Sequence, residues 1–314
     1  AVPILVDCDT ETLNMSLADA ERKLAEVRSG SLQRISGEAS KVVGMVPVHV
    51  GGRMLDVAEL QAFAERHRLW SVEDAAHAFP AAWRASEDAA WQRSGERTAD
   101  VTCYSFYANK TITTGEGGMV VTESDELAER IRSLSLHGLS NDAWGRYTSK
   151  GAWDYRIVAA GYKYNLTDIA AALGIHQLAR AEAMRREREE IALELIDSLA
   201  GADEIEIPRV PENRIHSWHL FQIKLRLERL TLDRDAFLEE LRSAGIGFSV
   251  HWRPLHLHPY YRDTFGWRPD DLPNATEVWR RTVSLPIFPG MSMEERGAVS
   301  EAVLEICRRF RRPS

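Results

Sequence analysis

Apolar residues along the chain follow two alternating rhythms. Short, nearly unbroken runs at residues 2–6 and 41–50 read as buried strands, the second as a central parallel strand broken by Gly51-Gly52. Between them, apolar residues recur at helical spacing. Ser16 stands before Leu17, Ala20, Leu24 and Val27, with Asp19 three positions on, which predicts a capped helix. Asp56 stands likewise before Leu60, Phe63 and Ala64, with Glu59 at the capping-box position. Residues 69–73 form another short strand, ending at Asp74. A strand–helix–strand–helix order predicts a doubly wound α/β sheet, whose ligands gather at the carboxyl ends of its strands.

Further on, residues 84–99 are polar and aperiodic and read as a loop. Strands are expected at 101–106, 111–114 and 119–122, with Gly115, Gly117 and Gly118 allowing the chain to reverse between them. Ser124 opens a helix that turns Leu127, Ile131 and Leu134 inward. Residues 137–164 carry no repeat, and so long a loop is usually functional or at an interface. From Thr167 a long helix runs towards Leu199, apolar at first and then highly charged. Past Pro208 and Pro211 the composition changes. A strand is expected at 219–225, a helix at 233–243 stopped by Gly245, a second strand at 246–251, and a closing helix at 294–310. With 314 residues, two domains are expected: a large one, 1–200, and a small C-terminal one, 201–314.

Composition narrows the class. Hydrophobic residues make up 44% and charged residues 27%, which suits a soluble enzyme with a full core. A net charge of −8 with no basic face argues against nucleic acid as a partner. The cluster Arg308-Arg309-Phe310-Arg311-Arg312 reads as a solvated helix end that complements the helix dipole. Cys8, Cys103 and Cys307 are far apart, odd in number and without metal spacing, so a reduced, cytoplasmic setting is expected. No apolar run reaches membrane-spanning length.

The candidate chemistry lies at two strand ends. Lys110 closes Ser105-Phe106-Tyr107-Ala108-Asn109-Lys110 and precedes the turn Thr114-Gly115-Glu116-Gly117-Gly118. Asp74 ends the other run, in Val72-Glu73-Asp74-Ala75-Ala76-His77, and strand alternation turns Glu73 to the opposite face. A lysine and an aspartate so placed are what pyridoxal phosphate (PLP) chemistry needs. The amine forms a Schiff base with the cofactor aldehyde, and the carboxylate keeps the ring nitrogen protonated so that the ring can accept electrons. Burial in the crevice lowers the amine's pKa and frees it to move a proton. His256 and His258 have no third ligand nearby, and no metal site is expected.

Four motifs, in order, carry a resemblance. They are Glu73-Asp74-Ala75-Ala76-His77-Ala78, Ser105 to Lys110, Gly115-Glu116-Gly117-Gly118 and Gly161-Tyr162-Lys163-Tyr164-Asn165-Leu166-Thr167-Asp168. Together they resemble the sugar aminotransferases of the DegT/DnrJ/EryC1/StrS family, over essentially the whole chain. The last motif most resembles members that aminate the C4 keto group of UDP-sugars. The resemblance implies an α/β protein with the PLP-dependent transferase fold of aspartate aminotransferase type I, a mostly parallel sheet in the large domain and a smaller C-terminal α/β domain. It implies that Lys110 and Asp74 are catalytic and that His77 lies near the cofactor ring or its phenolic oxygen. Ser105 would bind the cofactor phosphate, and Asn165 would reach the other subunit's phosphate across a homodimer interface. Lys163 and Tyr164 would contact the nucleotide-sugar; His251 and Arg253 would meet substrate phosphates or the incoming carboxylate.

The implied reaction passes an amino group from an amino acid, L-glutamate, to a nucleotide-linked keto-sugar with ping-pong kinetics. Two other readings stay open. One is a PLP-dependent sugar dehydratase, against which Lys110 argues, since dehydratases that keep the aminated cofactor free carry histidine there. The other is a catalytically incomplete fragment or a PLP-binding module without activity. Similar enzymes carry an N-terminal segment with a Ser-Gly-Thr phosphate loop, a ring-stacking aromatic residue and the sheet's first strand and helix. None of these motifs is found here, so the large domain is expected to be N-terminally incomplete.

Overall fold

The structure, a computed structural model, describes residues 2–32, 41–140 and 156–313. Its first part builds a four-stranded sheet with helices around it: α1 (Leu17–Arg28), β1 (Gly44–Met45), α2 (Val57–His67), β2 (Trp70–Asp74), β3 (Ala82–Trp83), β4 (Gln92–Arg93), β5 (Val101–Ser105), β6 (Gly118–Val121) and α3 (Asp125–Ser135). Two short strands, β3 and β4, lie outside that sheet. The strand order is β1-β2-β5-β6, with β1, β2 and β5 parallel and β6 antiparallel to β5. In register, Asp74 pairs with Cys103 on one side and bridges to Val48 on the other. The carboxyl ends of β2 and β5 therefore lie side by side.

The second part comprises α4 (Asp168–Leu199), β7 (Ile205–Glu206), β8 (Arg214–Ile215), β9 (Phe221–Leu225), α5 (Arg234–Ser243), α6 (Pro259–Phe265), α7 (Pro273–Arg281), β10 (Thr282–Leu285) and α8 (Met293–Arg309). An antiparallel sheet runs β10-β9-β7, and a second, β4-β3-β8, stitches residues 82–83 to 214–215. The largest core cluster packs the last turns of α4, through Ile191, Leu195 and Leu199, against Phe221 and Ile223 of β9 and against α5, β10 and α8. A second cluster joins Leu24, Met45, Leu60 and Phe63 beneath the first sheet. Leu60 and Phe63 are almost fully buried, each stabilising the fold by about 1.5–3 kcal/mol.

Local signals start the helices. Ser16, Asp56, Ser124, Thr167, Asp233 and Ser292 each accept the backbone N–H three residues on, satisfying a donor that the first turn leaves free. At α8 the Glu295 side chain returns the bond to Ser292, completing a capping box. Asp19 is used otherwise: it accepts from the Asp7 N–H at 2.7 Å.

Several strand expectations are corrected. Residues 2–6 form no strand. The 41–50 run gives only two-residue β1 and the Val48 bridge, at the sheet edge, because Pro47 lacks the N–H to continue the ladder. Residues 111–114 curl back on β5 as a turn, with the Thr114 N–H on the Phe106 carbonyl at 2.9 Å. The 246–251 run contributes a single bridge, Ser249 to Ser284, because β10 takes the edge of β9. The polar stretch 84–99 includes β4. Residues 141–155 of the expected long loop lie outside the described residues.

Candidate active site

Strand alternation on β2 separates two neighbouring carboxylates. Glu73 points into the buried side, where it accepts from Thr98 Oγ1 at 2.6 Å and Thr102 Oγ1 at 3.0 Å and faces His49 Nε2 at 3.3 Å. His49 Nδ1 accepts from the Leu55 N–H at 3.1 Å, so a neutral ring turns its N–H to Glu73. Burial pushes the Glu73 carboxyl up, but the bonds from His49, Thr98 and Thr102 prevail and hold it below the usual carboxylate range. Asp74 stands at the strand's carboxyl end. Its Oδ1 accepts from the Ala76 N–H at 3.0 Å, and its Oδ2 has no hydrogen-bond partner among the described residues.

His77 follows in the turn after β2 and is buried. Its Nδ1 accepts from the Gly51 N–H at 3.2 Å. Gly51 has φ +67°, a left-handed conformation that glycine adopts without strain. The neutral His77 ring therefore carries its proton on Nε2. Burial first, then the charges of Lys110 and His251, lowers the His77 pKa to about 3. The ring lies between His219, at 4.3 Å, and Trp252, stacked at 4.8 Å.

Lys110 sits in a turn whose N–H bonds the Tyr107 carbonyl at 3.0 Å. Burial lowers its ammonium pKa, and Asp74 opposes that shift through its charge. Ser105, the last residue of β5, accepts at Oγ from the Tyr107 N–H at 3.3 Å, leaving its own proton for another acceptor. His251 Nδ1 lies 2.8 Å from Ser284 Oγ on β10, and its pKa is lowered by burial and then by Lys110. Lys110 is the common neighbour: its charge bears on His77 and His251, and that of Asp74 bears on it. His219 belongs with them: burial, then His77 and Lys110, takes it down to about 2.

Four other expected residues stand apart from this cluster. Asn165 and Tyr164 line a cleft of about 550 Å³ between the Gly117-Gly118 turn and the first turns of α4. Lys163 Nζ donates to Asn165 Oδ1, and Tyr164 stacks on Tyr162 at 4.9 Å. Arg253 donates to the Leu257 carbonyl at 3.0 Å and lies over the Trp279 ring. His256 and His258 have separate partners, Thr276 Oγ1 at 2.8 Å and the Arg253 carbonyl at 3.2 Å.

His49 and His219 carry geometry that sequence reasoning missed. The only signal for His219 is the unusual His216-Ser217-Trp218-His219 run ahead of β9. An amine whose protonation burial disfavours, a carboxylate with a free oxygen, a neutral N–H donor and a strand-end hydroxyl fit pyridoxal phosphate as a donor set.

The model of the DegT/DnrJ/EryC1/StrS aminotransferase family matches residues 1–304. An uncharacterized protein of Methanocaldococcus jannaschii, MJ1066, is 42% identical over 306 residues, covering 98% of this chain and 74% of that protein. The spore coat polysaccharide biosynthesis protein SpsC of Bacillus subtilis is 38% identical over 309 residues, covering 98% of this chain and 74% of SpsC. Among solved structures, the PLP form of Spr1654 from Streptococcus pneumoniae superposes with a TM-score of 0.82 at 27% identity, covering 98% of this chain and 76% of that one, and the sugar aminotransferase CalS13 from Micromonospora echinospora superposes with a TM-score of 0.77 at 29% identity, covering 96% of this chain and 73% of that one. Fold and sequence agree, and the chain belongs to the DegT/DnrJ/EryC1/StrS aminotransferase family.

Proposed function

We propose that the chain transfers an amino group from L-glutamate to a nucleotide-linked keto-sugar, with pyridoxal phosphate as cofactor. The observation that carries this reading is the meeting of Lys110, Asp74 and His77 beside the carboxyl ends of β2 and β5. The names of two relatives, a sugar aminotransferase and a polysaccharide biosynthesis protein, support a sugar substrate. When bound, the cofactor supplies an electron sink. Asp74, with one oxygen free, would hold the proton on the ring nitrogen. Lys110 would present a free amine at Nζ that can take up a proton and hand it on, because burial disfavours its charged form. His77 would offer a neutral Nε2–H to the ring or its oxygen, and Ser105 a hydroxyl to the phosphate.

The outlying residues fit a second subunit. Ile169, Leu173, Ile175 and Leu178 of α4 are exposed apolar side chains beside the Asn165 cleft, which supports a homodimer. Asn165 would then reach the partner's cofactor phosphate, with Lys163 and Tyr164 towards the nucleotide-sugar. His251 and Arg253 would receive the donor carboxylate or a substrate phosphate. We read residues 1–200 as a large unit and 201–314 as a small one, with α4 rooted in the second unit's core. Cys8, Cys103 and Cys307 are all free thiols, which supports a reducing, cytoplasmic setting.

The test is a titration of the chain with pyridoxal phosphate, followed by visible absorbance, with Lys110→Ala as control. A band that forms with the wild type, fails to form with Lys110→Ala and fades on adding L-glutamate is expected. A folded wild-type chain that gives no band overturns the reading.

A further inference from the structure

His219 is buried, and its ring lies 4.3 Å from that of His77, tilted by 44°. Trp252 covers another side of His77 at 4.8 Å, nearly parallel at 23°. His219 Nδ1 is buried without a hydrogen-bond partner among the described residues. That nitrogen makes no bond of its own, so what His219 presents to His77 is its ring. The residue before it adds an independent observation. Trp218 is buried yet left-handed, with φ +50°, a conformation that bulky residues rarely adopt and that concentrates at functional sites.

The peptide of Trp218 is held from three sides. Its N–H donates to His216 Nδ1 at 2.8 Å, and its ring stacks on His216 at 4.2 Å. Its carbonyl accepts from Arg188 Nη1 at 3.1 Å, and the same nitrogen donates to the Ile287 carbonyl at 2.8 Å. Arg188 is a buried cation with no carboxylate bound to it among the described residues, and gripping these two carbonyls is what it does. The left-handed turn so fixed delivers His219 onto His77.

We propose that His219 is a positioning residue for the aminotransferase reaction: its ring and that of Trp252 clamp His77, so that the His77 Nε2–H keeps one direction, and Arg188 secures the clamp through Trp218. The proposal rests on the reading of Lys110, Asp74 and His77 as the cofactor site. The charged or titratable groups facing His77 are Lys110, His251 and His219. His219 is neutral near pH 7, so the clamp adds no second cation beside Lys110.

Selective ¹⁵N labelling of histidine reads the His77 tautomer in the full chain without cofactor, and a visible-absorbance titration reads pyridoxal phosphate affinity. The wild type is expected to show one narrow Nε2–H signal for His77. His219→Ala is expected to broaden or average that signal and to weaken cofactor binding about fivefold, the scale of a lost aromatic pair contact. His219→Phe keeps a ring face without nitrogens and is expected to restore both. Trp252→Ala, at a half-exposed position, removes the other side of the clamp while sparing the core. It is expected to disturb the same signal, and it decides the matter if His219→Ala does not fold. An unchanged His77 signal in a folded alanine variant overturns the proposal. A folded His219→Phe that behaves like alanine overturns it too, because the nitrogen rather than the ring would then be the working part. If the wild type forms no cofactor band, only the cofactor reading fails, and the histidine signals still decide the clamp.

Discussion

Two adjacent carboxylates on β2 meet opposite fates. Glu73 is sealed against His49, Thr98 and Thr102, whereas Asp74 keeps an oxygen free beside Lys110. Their substitutions are expected to separate stability from activity. Asp74→Asn should fold normally and lose at least about a hundredfold in kcat/KM, the scale of a missing preorganised charge at the reacting centre. Glu73→Gln should cost about 1–3 kcal/mol of stability by weakening a buried hydrogen-bond network, with a smaller kinetic effect. Urea unfolding and steady-state kinetics on both variants check the split; the reverse pattern would sink the assignment.

Acid should reach the fold through histidine. His77, His216 and His219 are held neutral, mainly by burial, with pKa values of about 3, 3 and 2 against an ordinary 6.5. Below the ordinary value the unfolded chain takes up protons that the native chain refuses. Stability is therefore untouched by these groups near pH 8 and falls as the pH drops from about 6.5 towards 3. Near pH 5 roughly three protons should be taken up on unfolding, a slope of about 4 kcal/mol per pH unit. Urea unfolding between pH 7 and 4.5 measures it, and a flat profile would show that these rings are not buried neutral.

At the scale of elements, caps decide where helices begin. Ser292→Ala breaks the α8 capping box and should cost about 1 kcal/mol without changing kcat, as chemical denaturation and kinetics would show. Such local signals made most helices legible in the sequence, and Lys110, Asp74 and Ser105 were legible because each ends or follows an apolar run. What stayed hidden depends on distant pairing. Residues 246–251 and 282–285 both alternate as strands, and only the edge of β9 selects the second. β10 also follows α7 without an intervening turn, so no punctuation marks its start. His219 was absorbed into a strand reading, and the ring it packs on, His77, lies 142 positions away. Arg188 lies in the charged half of α4, and the charge pattern by itself does not show that it is buried.

At the scale of the whole molecule, exposed apolar residues on α4 call for cover. Sedimentation equilibrium should give twice the chain mass, and Ile175→Glu should shift it towards the monomer by placing a charge in that contact. Two half reactions that share one site should give parallel double-reciprocal lines when L-glutamate and keto-sugar are varied, and intersecting lines would require both substrates to be bound at once.

The length of α4 has a mechanical side. Its last turns are gripped by the largest core cluster, with Arg188 pinned to two carbonyls, while its first turn lines the Asn165 cleft. Between these ends Ala181 and Met184 are buried against Ile112, and Gln177 Oε1 accepts the Thr113 N–H at 3.3 Å. The helix is a tie beam seated in both halves of the molecule, so slack introduced at Leu195 loads the Met184 seat before it can reach the mouth of the cleft.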